Sequence, residues 1–171
     1  MDFLLIVMRL VHILAGVFWV GGAIFIAVFV EPSVRALGPD GGKFMQHMVG
    51  ARRLSTFMAL AAVLTVLAGL WLYWRASLGF TLAWIVAPSG LTLTIGALAG
   101  ILGAVVGGAG TGQASARMAA LGRAMQAAGG PPQPAQLAEM QALQRRLRQA
   151  GVWNAVLLVI AVAGMAMARY V

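Results

Sequence analysis

The stretch FLLIVMRLVHILAGVFWVGGAIFIAVFV, residues 3–30, is apolar almost without interruption. A helix of this length rises about 40 Å, which exceeds the ~30 Å hydrocarbon core of a bilayer. Three further apolar segments are long enough to cross a membrane: residues 54–74, 84–108 and 152–168. None has the alternation or the ~10-residue length of barrel strands. The sequence therefore predicts an all-α membrane protein whose four transmembrane helices form a bundle.

The composition supports this class. Of the 171 residues, 61% are hydrophobic and only 9% are charged, and the mean hydropathy of +0.91 is far above that of soluble domains. We predict a single domain over residues 1–171 with the lipid bilayer as its main partner. The first segment lacks the basic leader and the cleavage site of a signal peptide, so we expect it to be retained. The absence of cysteine excludes disulfides, thiolate metal sites and iron–sulfur clusters.

The distribution of basic residues predicts the orientation. The second connection holds only Arg75, whereas the first and third connections hold the following nine: Arg35, Lys43, Arg52, Arg53, Arg117, Arg123, Arg145, Arg146 and Arg148. By the positive-inside rule, these two connections are cytoplasmic and both termini lie outside, in a bacterial inner membrane. The net charge of +8 is explained by attraction of this boundary to anionic lipid, so we expect no nucleic-acid partner. We also expect Glu31, at the end of the first span, to pair with Arg52 or Arg53.

The third connection, residues 111–150, is interrupted by GGPPQP at residues 129–134, a combination that ends one helix and starts another. Apolar residues recur at helical spacing on both sides of the break. We predict a cytoplasmic helical hairpin over residues 111–150. Its apolar faces either pack on each other or form a docking surface for a partner or a second copy.

Small residues mark the third span. Gly96, Gly100, Gly103 and Gly107 lie on one helical stripe, where a neighbouring helix can approach closely. That neighbour is either a helix of the same bundle or a helix of another copy in a homo-oligomer.

Arg9 and His12 are ionisable residues inside the first apolar run, which makes them a candidate functional site. Gly16 and Trp19 share roughly the face of His12, where a small residue leaves room for a flat group and an aromatic ring can pack on it. Histidine in a bundle core is a common axial ligand of haem iron, and Arg9 could pair with a propionate. Alternatively, a neutral His12 makes an interhelical hydrogen bond and Arg9 extends towards the outer surface.

The first 75 or so residues resemble a superfamily of small four-helix membrane proteins. It contains copper resistance protein D-like domains, HemJ-type protoporphyrinogen oxidases and the membrane part of bacterial urate-oxidising PuuD proteins. The shared signature is a first-span histidine, then W-x-G-G and a basic pair that opens the second span, matched here by His12, Trp19, Gly21, Gly22, Arg52 and Arg53. The resemblance to HemJ-type proteins implies haem b on the first-span histidine. The resemblance to copper-resistance proteins implies copper passage instead.

His47 is the second histidine, in KFMQHMVGARR. It lies about 27 Å from His12 along the helix axis if the first span ends at the inner surface, too far for both to bind one haem. With Met45 and Met48 it forms either an ordinary interfacial segment or a second metal site suited to copper(I). A sixth haem ligand could come from Met165 or Met167 or from another subunit, or the iron could remain five-coordinate.

Two kinds of function remain open from the sequence. One is a haem-binding redox protein that exchanges electrons with a quinone or an outer redox partner. The other is a non-redox protein, either a copper-handling permease or a scaffold or accessory subunit of a larger membrane complex. The sequence does not decide whether the protein is an enzyme, although it lacks the motifs of hydrolases and kinases.

Overall fold

In the computed structural model, residues 2–171 are described, and this part of the chain is helical without a strand. The α-helices are α1 (Phe3–Phe25), α2 (Glu31–Ala36), α3 (Pro39–Gly50), α4 (Leu54–Ala76), α5 (Leu82–Ile85), α6 (Pro88–Val105), α7 (Gly112–Ala127) and α8 (Pro134–Met167). Two π-helical segments, Ile26–Val30 and Val106–Thr111, join α1 to α2 and α6 to α7.

Four continuous helices are long and apolar enough to cross a membrane: Phe3–Ala36, Leu54–Ala76, Pro88–Ala127 and Pro134–Met167. Their number confirms the prediction of four spans and indicates a multi-pass membrane protein. Three of them run well beyond the apolar segments of the sequence, because polar residues continue the same helices past the membrane-length stretch.

Burial in these helices is the reverse of that in a soluble bundle. In the most apolar window of each helix, only 11% to 22% of the residues are buried, and large side chains such as Leu14, Leu67 and Leu98 are exposed. The main buried cluster is small and consists of Trp19, Ala23, Ala61 and Leu158. A surface this apolar is expected for contact with lipid, whereas small residues dominate the contacts between helices.

The bundle is built from two tightly packed helix pairs, α1 with α4 and α6 with α8. The pairs meet at the buried cluster, where Trp19 of α1 packs with Leu158 of α8. They also meet at a hydrogen bond of 2.6 Å between the hydroxyls of Tyr73 on α4 and Thr94 on α6. Thr94 donates its own hydrogen to the Gly90 carbonyl, so Tyr73 is the donor to Thr94.

The third membrane helix begins later than the sequence predicts. The apolar segment starts at residue 84, but Trp84 belongs to the short helix α5 and the long helix begins at Pro88. Ala87 has extended backbone (φ −66°, ψ 152°) because the proline ring that follows it disfavours the helical conformation. The approach of α6 to this turn is so close that a Cβ on Gly90 would overlap the Trp84 carbonyl.

Residues 112–150 form a helical hairpin, as the sequence predicts. Helix α7 ends at Ala127 and α8 begins at Pro134, on either side of the glycine–proline break. Its two arms are tied by an ion pair of 2.9 Å between Arg117 and Glu139. Ala114 of α7 and Leu143 of α8 are buried, and the two arms contact each other. This arrangement corresponds to the alternative in which the apolar faces of the hairpin pack on each other.

The glycine stripe of the third span packs within the same chain. Cβ atoms placed on Gly96 and Gly103 would lie 3.0 Å from the Ala161 carbonyl oxygen and 3.1 Å from the Leu158 side chain, respectively. Gly164 makes the same kind of close contact from α8, because a Cβ on Gly164 would lie 2.9 Å from the Gly96 Cα. The glycine stripe therefore contacts a helix of the same bundle, which is the first of the two alternatives that the sequence left open.

Candidate metal-binding site at His12

His12 lies on α1 and contacts α4 through its imidazole. The Nδ1 atom is 2.8 Å from the backbone carbonyl oxygen of Thr65. Because a carbonyl oxygen only accepts hydrogen bonds, Nδ1 carries the proton and donates it. In the neutral ring this tautomer leaves a lone pair on Nε2, the atom that a metal would use.

Thr65 and Gly69 of α4 fix the position of the ring. A Cβ on Gly69 would lie 2.7 Å from Cε1 and 2.9 Å from Nδ1 of His12, so the imidazole fills the space that a side chain would need. The hydroxyl of Thr65 donates to the Ala61 carbonyl at 2.7 Å and therefore does not compete for the histidine. One glycine and one backbone carbonyl hold the ring against α4.

The Nε2 atom is farther from α4 than the other two ring atoms near Gly69, because a Cβ on Gly69 would lie 3.8 Å from it. It has no hydrogen-bond partner in the described residues 2–171. Among residues 2–171, Asn154 Oδ1 is the one fully buried side-chain nitrogen or oxygen atom without a hydrogen-bond partner. Because Nε2 also lacks a partner but is not in this class, it is not fully buried. Part of the surface of Nε2 in the half-buried His12 is therefore exposed. Ligand histidines in metal sites are oriented in this way, by donating the other ring nitrogen's proton to a carbonyl.

Gly16 and Trp19 do not form a slot beside His12. Gly16 faces the methyl group of Thr65, 3.5 Å from where a Cβ would lie, so the expected room at this glycine is taken by α4. Trp19 is only 5% exposed and packs with Ala61 and Leu158 in the centre of the bundle. In a helix pair each small residue accommodates a side chain of the neighbouring helix, here Thr65, and a role of Gly16 beside a haem stays a prediction.

Arg9 is exposed and lies one turn before His12, about 4.5 Å along the helix axis. The ion pairs of the described residues join Lys43 to Asp40, Arg75 to Asp2 and Arg117 to Glu139. None of them uses Arg9.

Met45, His47 and Met48 lie on α3, as expected for a short helix before Arg52. The two methionines are partly buried on one face, whereas His47 is exposed and points about 200° away from Met45 around the helix. The three side chains therefore do not converge. Of the two candidate methionines on α8, Met167 is exposed, and the backbone of Met165 packs against Gly96 of α6.

Glu31 does not pair with Arg52 or Arg53 in the described structure. It lies instead in a cleft with Arg35, Arg145 and Arg148. The prediction is wrong because α2 continues the first membrane helix towards α8, and the third connection supplies the neighbouring arginines.

Asn154 is a residue that the sequence analysis did not single out. It is 8% exposed on α8, and its amide lies against Gly103 and Gly107, whose Cβ atoms would be 3.3 Å from Oδ1 and 3.2 Å from Nδ2. The π-helical segment Val106–Thr111 contacts the same helix, α8. A polar residue among the apolar ones of VWNAVLLV was the available signal, since intramembrane amides are uncommon and often bridge helices.

The fold and this site together define a class: a multi-pass helical membrane protein with one oriented histidine at the contact of its first two membrane helices. No protein-family model, curated protein or solved structure matches the chain.

Proposed function

We propose that the protein is a haem b protein of the membrane, in which Nε2 of His12 binds the iron and Arg9 pairs with a haem propionate. The observation that carries the proposal is the 2.8 Å hydrogen bond from His12 Nδ1 to the Thr65 carbonyl, because it orients the ring and fixes its tautomer. Bound haem supplies a one-electron redox centre, which a quinone or an outer protein partner could address. The resemblance of the first two spans to HemJ-type proteins supports the same assignment.

The residues around His12 limit where the haem lies. The Thr65 side chain occupies the space at Gly16, and the imidazole occupies the space at Gly69. A porphyrin on Nε2 would therefore have to bind outside the contact between α1 and α4. Trp19 belongs to the bundle centre and keeps the helices together there.

Charged residues at the helix ends support the proposed arrangement in the membrane. Two pairs of charges each lie about 32 Å apart along α4 and α8, close to the hydrocarbon thickness: Arg53 and Arg75, and Arg148 and Arg169. The Asp2–Arg75 ion pair joins one set of ends, and the cleft shared by Glu31 and Arg148 joins the other. In this arrangement, His12 lies ten residues, about 15 Å along the helix, inside the end marked by the Asp2–Arg75 ion pair.

The same arrangement gives the orientation that we propose. The end with Glu31 and Arg148 carries the basic first and third connections and therefore faces the cytoplasm of a bacterial cell, with the helical hairpin. Both termini and the proposed haem face the outside. The net positive charge at the inner boundary fits an anionic leaflet.

The test is an oxidised-minus-reduced absorbance spectrum of the protein purified in mild detergent from cells supplied with haem. We expect a Soret band and a b-type α band in the wild type, loss of both in His12→Ala, and retention in His47→Ala. His47→Ala is the matched control, because it removes the other histidine from an exposed position.

A colourless wild-type protein, or a spectrum that survives His12→Ala, would contradict the proposal. The hydrogen bond to Thr65 would then be explained by helix packing alone. Size-exclusion profiles of the variants show whether a lost spectrum reflects a lost ligand or a misfolded bundle.

A further inference from the structure

A second candidate site lies at the other end of the bundle, about 28 Å from His12 along the helix axis. It is a cleft of about 230 Å³ between α2 and the part of α8 that precedes its apolar segment. The cleft is lined by Glu31, Arg35, Gln141, Gln144, Arg145 and Arg148.

The sequence builds this cleft from two helix faces. On α8, the four lining residues recur at three- and four-residue spacing and therefore share one face. On α2, Glu31 and Arg35 are one turn apart and face α8. Both helices are continuous with membrane-length helices, so the cleft lies just past their apolar segments.

The charges in the cleft are not balanced. Three guanidinium groups and one carboxylate line the cleft, which gives it a net charge of +2. None of these four residues takes part in an ion pair within the described residues 2–171. Gln141 and Gln144 add amide N–H donors. Such a set of convergent donors and excess positive charge attracts an anion.

We infer that this cleft binds a phosphate group. Guanidinium groups bind phosphate through paired hydrogen bonds, and basic pockets beside the inner leaflet bind lipid head groups. The cleft is smaller than the 300–1,000 Å³, roughly, of pockets for drug-sized ligands, which suits a head group or a small phosphate compound. The phosphate belongs either to an anionic phospholipid or to a soluble molecule.

Glu31 gives the inference a second consequence. A carboxylate beside three arginines lowers the net charge of the cleft and repels an anion. Glu31→Gln should therefore bind a phosphate group more tightly than the wild type. A zwitterionic head group, which also carries an ammonium, would instead lose a partner and bind more weakly.

The experiment uses the full chain in nanodiscs of phosphatidylcholine, with or without added phosphatidylglycerol, and measures the midpoint of thermal unfolding. The compared variants are Arg148→Gln and Arg146→Gln, which remove the same charge from the same exposed turn of α8. Arg146 does not line the cleft. We expect phosphatidylglycerol to stabilise the wild type and Arg146→Gln, and to bind Arg148→Gln about tenfold more weakly, the loss of one charge-assisted contact.

A titration with sodium phosphate in phosphatidylcholine nanodiscs distinguishes the two sources. Stabilisation by phosphatidylglycerol alone assigns the cleft to lipid, and stabilisation by inorganic phosphate assigns it to a soluble ligand. Equal losses in Arg146→Gln and Arg148→Gln, no stabilisation by either ligand, or weaker binding by Glu31→Gln would overturn the inference. None of these variants should change the haem spectrum, so this test and that of His12 fail independently.

Discussion

The two helix pairs of the bundle use glycine in different ways. In the α6–α8 pair, Gly96 and Gly164 bring two backbones together, so that a Cβ on Gly164 would lie 2.9 Å from the Gly96 Cα. In the α1–α4 pair, Gly69 makes room for a side chain, the imidazole of His12. The α6–α8 contact holds the helices at a fixed distance, and the α1–α4 contact holds a functional group in a fixed orientation.

This difference determines what a mutation should change. A backbone in a packed helix cannot move aside without separating the pair, so extra atoms in the α6–α8 contact should reduce stability. An imidazole can rotate, so extra atoms at Gly69 should disturb the proposed ligand more than the fold. A small residue in a membrane helix is therefore informative only when the atom that it faces is known.

The largest expected effect is that of Gly164→Ala. The new Cβ would meet backbone atoms of α6 at 2.9 to 3.1 Å, so the helices must separate. We expect a loss of about 3 kcal/mol in the free energy of unfolding, the upper part of the range for overpacking. Thermal or denaturant unfolding in detergent measures it.

Gly100→Ala is the matched control on the same glycine stripe. Its Cβ would lie 3.6 Å from the Ala161 Cβ, an ordinary contact, so the variant should be as stable as the wild type or more so. Equal destabilisation by both substitutions would show that the stripe is sensitive throughout rather than at its closest point.

Gly69→Ala should have a smaller effect on stability and a larger one on the proposed site. Its Cβ would overlap the His12 ring, which must rotate and lose the bond from Nδ1 to the Thr65 carbonyl, at a cost of about 1 kcal/mol. We expect the b-type α band to disappear or shift, and the ¹⁵N signal of Nδ1 to change.

Gly16→Ala is the control in the same helix pair, α1 with α4. Its Cβ would lie 3.5 Å from the Thr65 methyl group, an ordinary contact distance, so this variant should keep the spectrum of the wild type. If Gly69→Ala binds haem normally with an unchanged Nδ1 signal, then the glycine does not position the ligand.

Tyr73→Phe tests the link between the two pairs. It removes the hydroxyl that donates to Thr94, a partly buried contact, and should cost about 0.6 kcal/mol, a typical value for interhelical hydrogen bonds in membranes. Tyr170→Phe, at an exposed position, should leave the unfolding midpoint unchanged. Equal shifts in the two variants would exclude a specific role of the Tyr73 hydroxyl.

Asn154→Ala should have the smallest effect although the residue is buried. Its Oδ1 has no protein partner among the described residues, so removing the amide relieves an unpaired polar atom while it leaves a small cavity. We expect the unfolding free energy to change by less than the value for Tyr73→Phe, under about 0.6 kcal/mol. A loss of several times this amount would indicate that the amide binds an ordered water molecule within the α6–α8 pair.

The sequence predicted the four membrane helices because long apolar segments have few alternatives in lipid. It also predicted the hairpin, since Gly129, Gly130 and the prolines at 131, 132 and 134 must interrupt a helix. It did not predict the π-helical segments or the start of α6 at Pro88, because neither changes the apolar pattern. The position of Glu31 beside Arg145 and Arg148 was missed for a related reason: two connections contain arginines, and the sequence does not show which one lies near Glu31.

For the candidate site, the apolar pattern was enough to place an ionisable His12 within a membrane-length helix and Arg9 one turn away. The atoms that hold the ring follow from the packing of α1 against α4, because the Thr65 carbonyl is a backbone group without a sequence signature and Gly69 is one glycine among many. The same holds for the inner cleft, whose Arg35 is more than 100 positions from Arg145 and Arg148 in the chain and lies beside them only in the folded protein. The apolar composition determines that the helices are surrounded by lipid. The register between packed helices determines which groups each polar atom contacts.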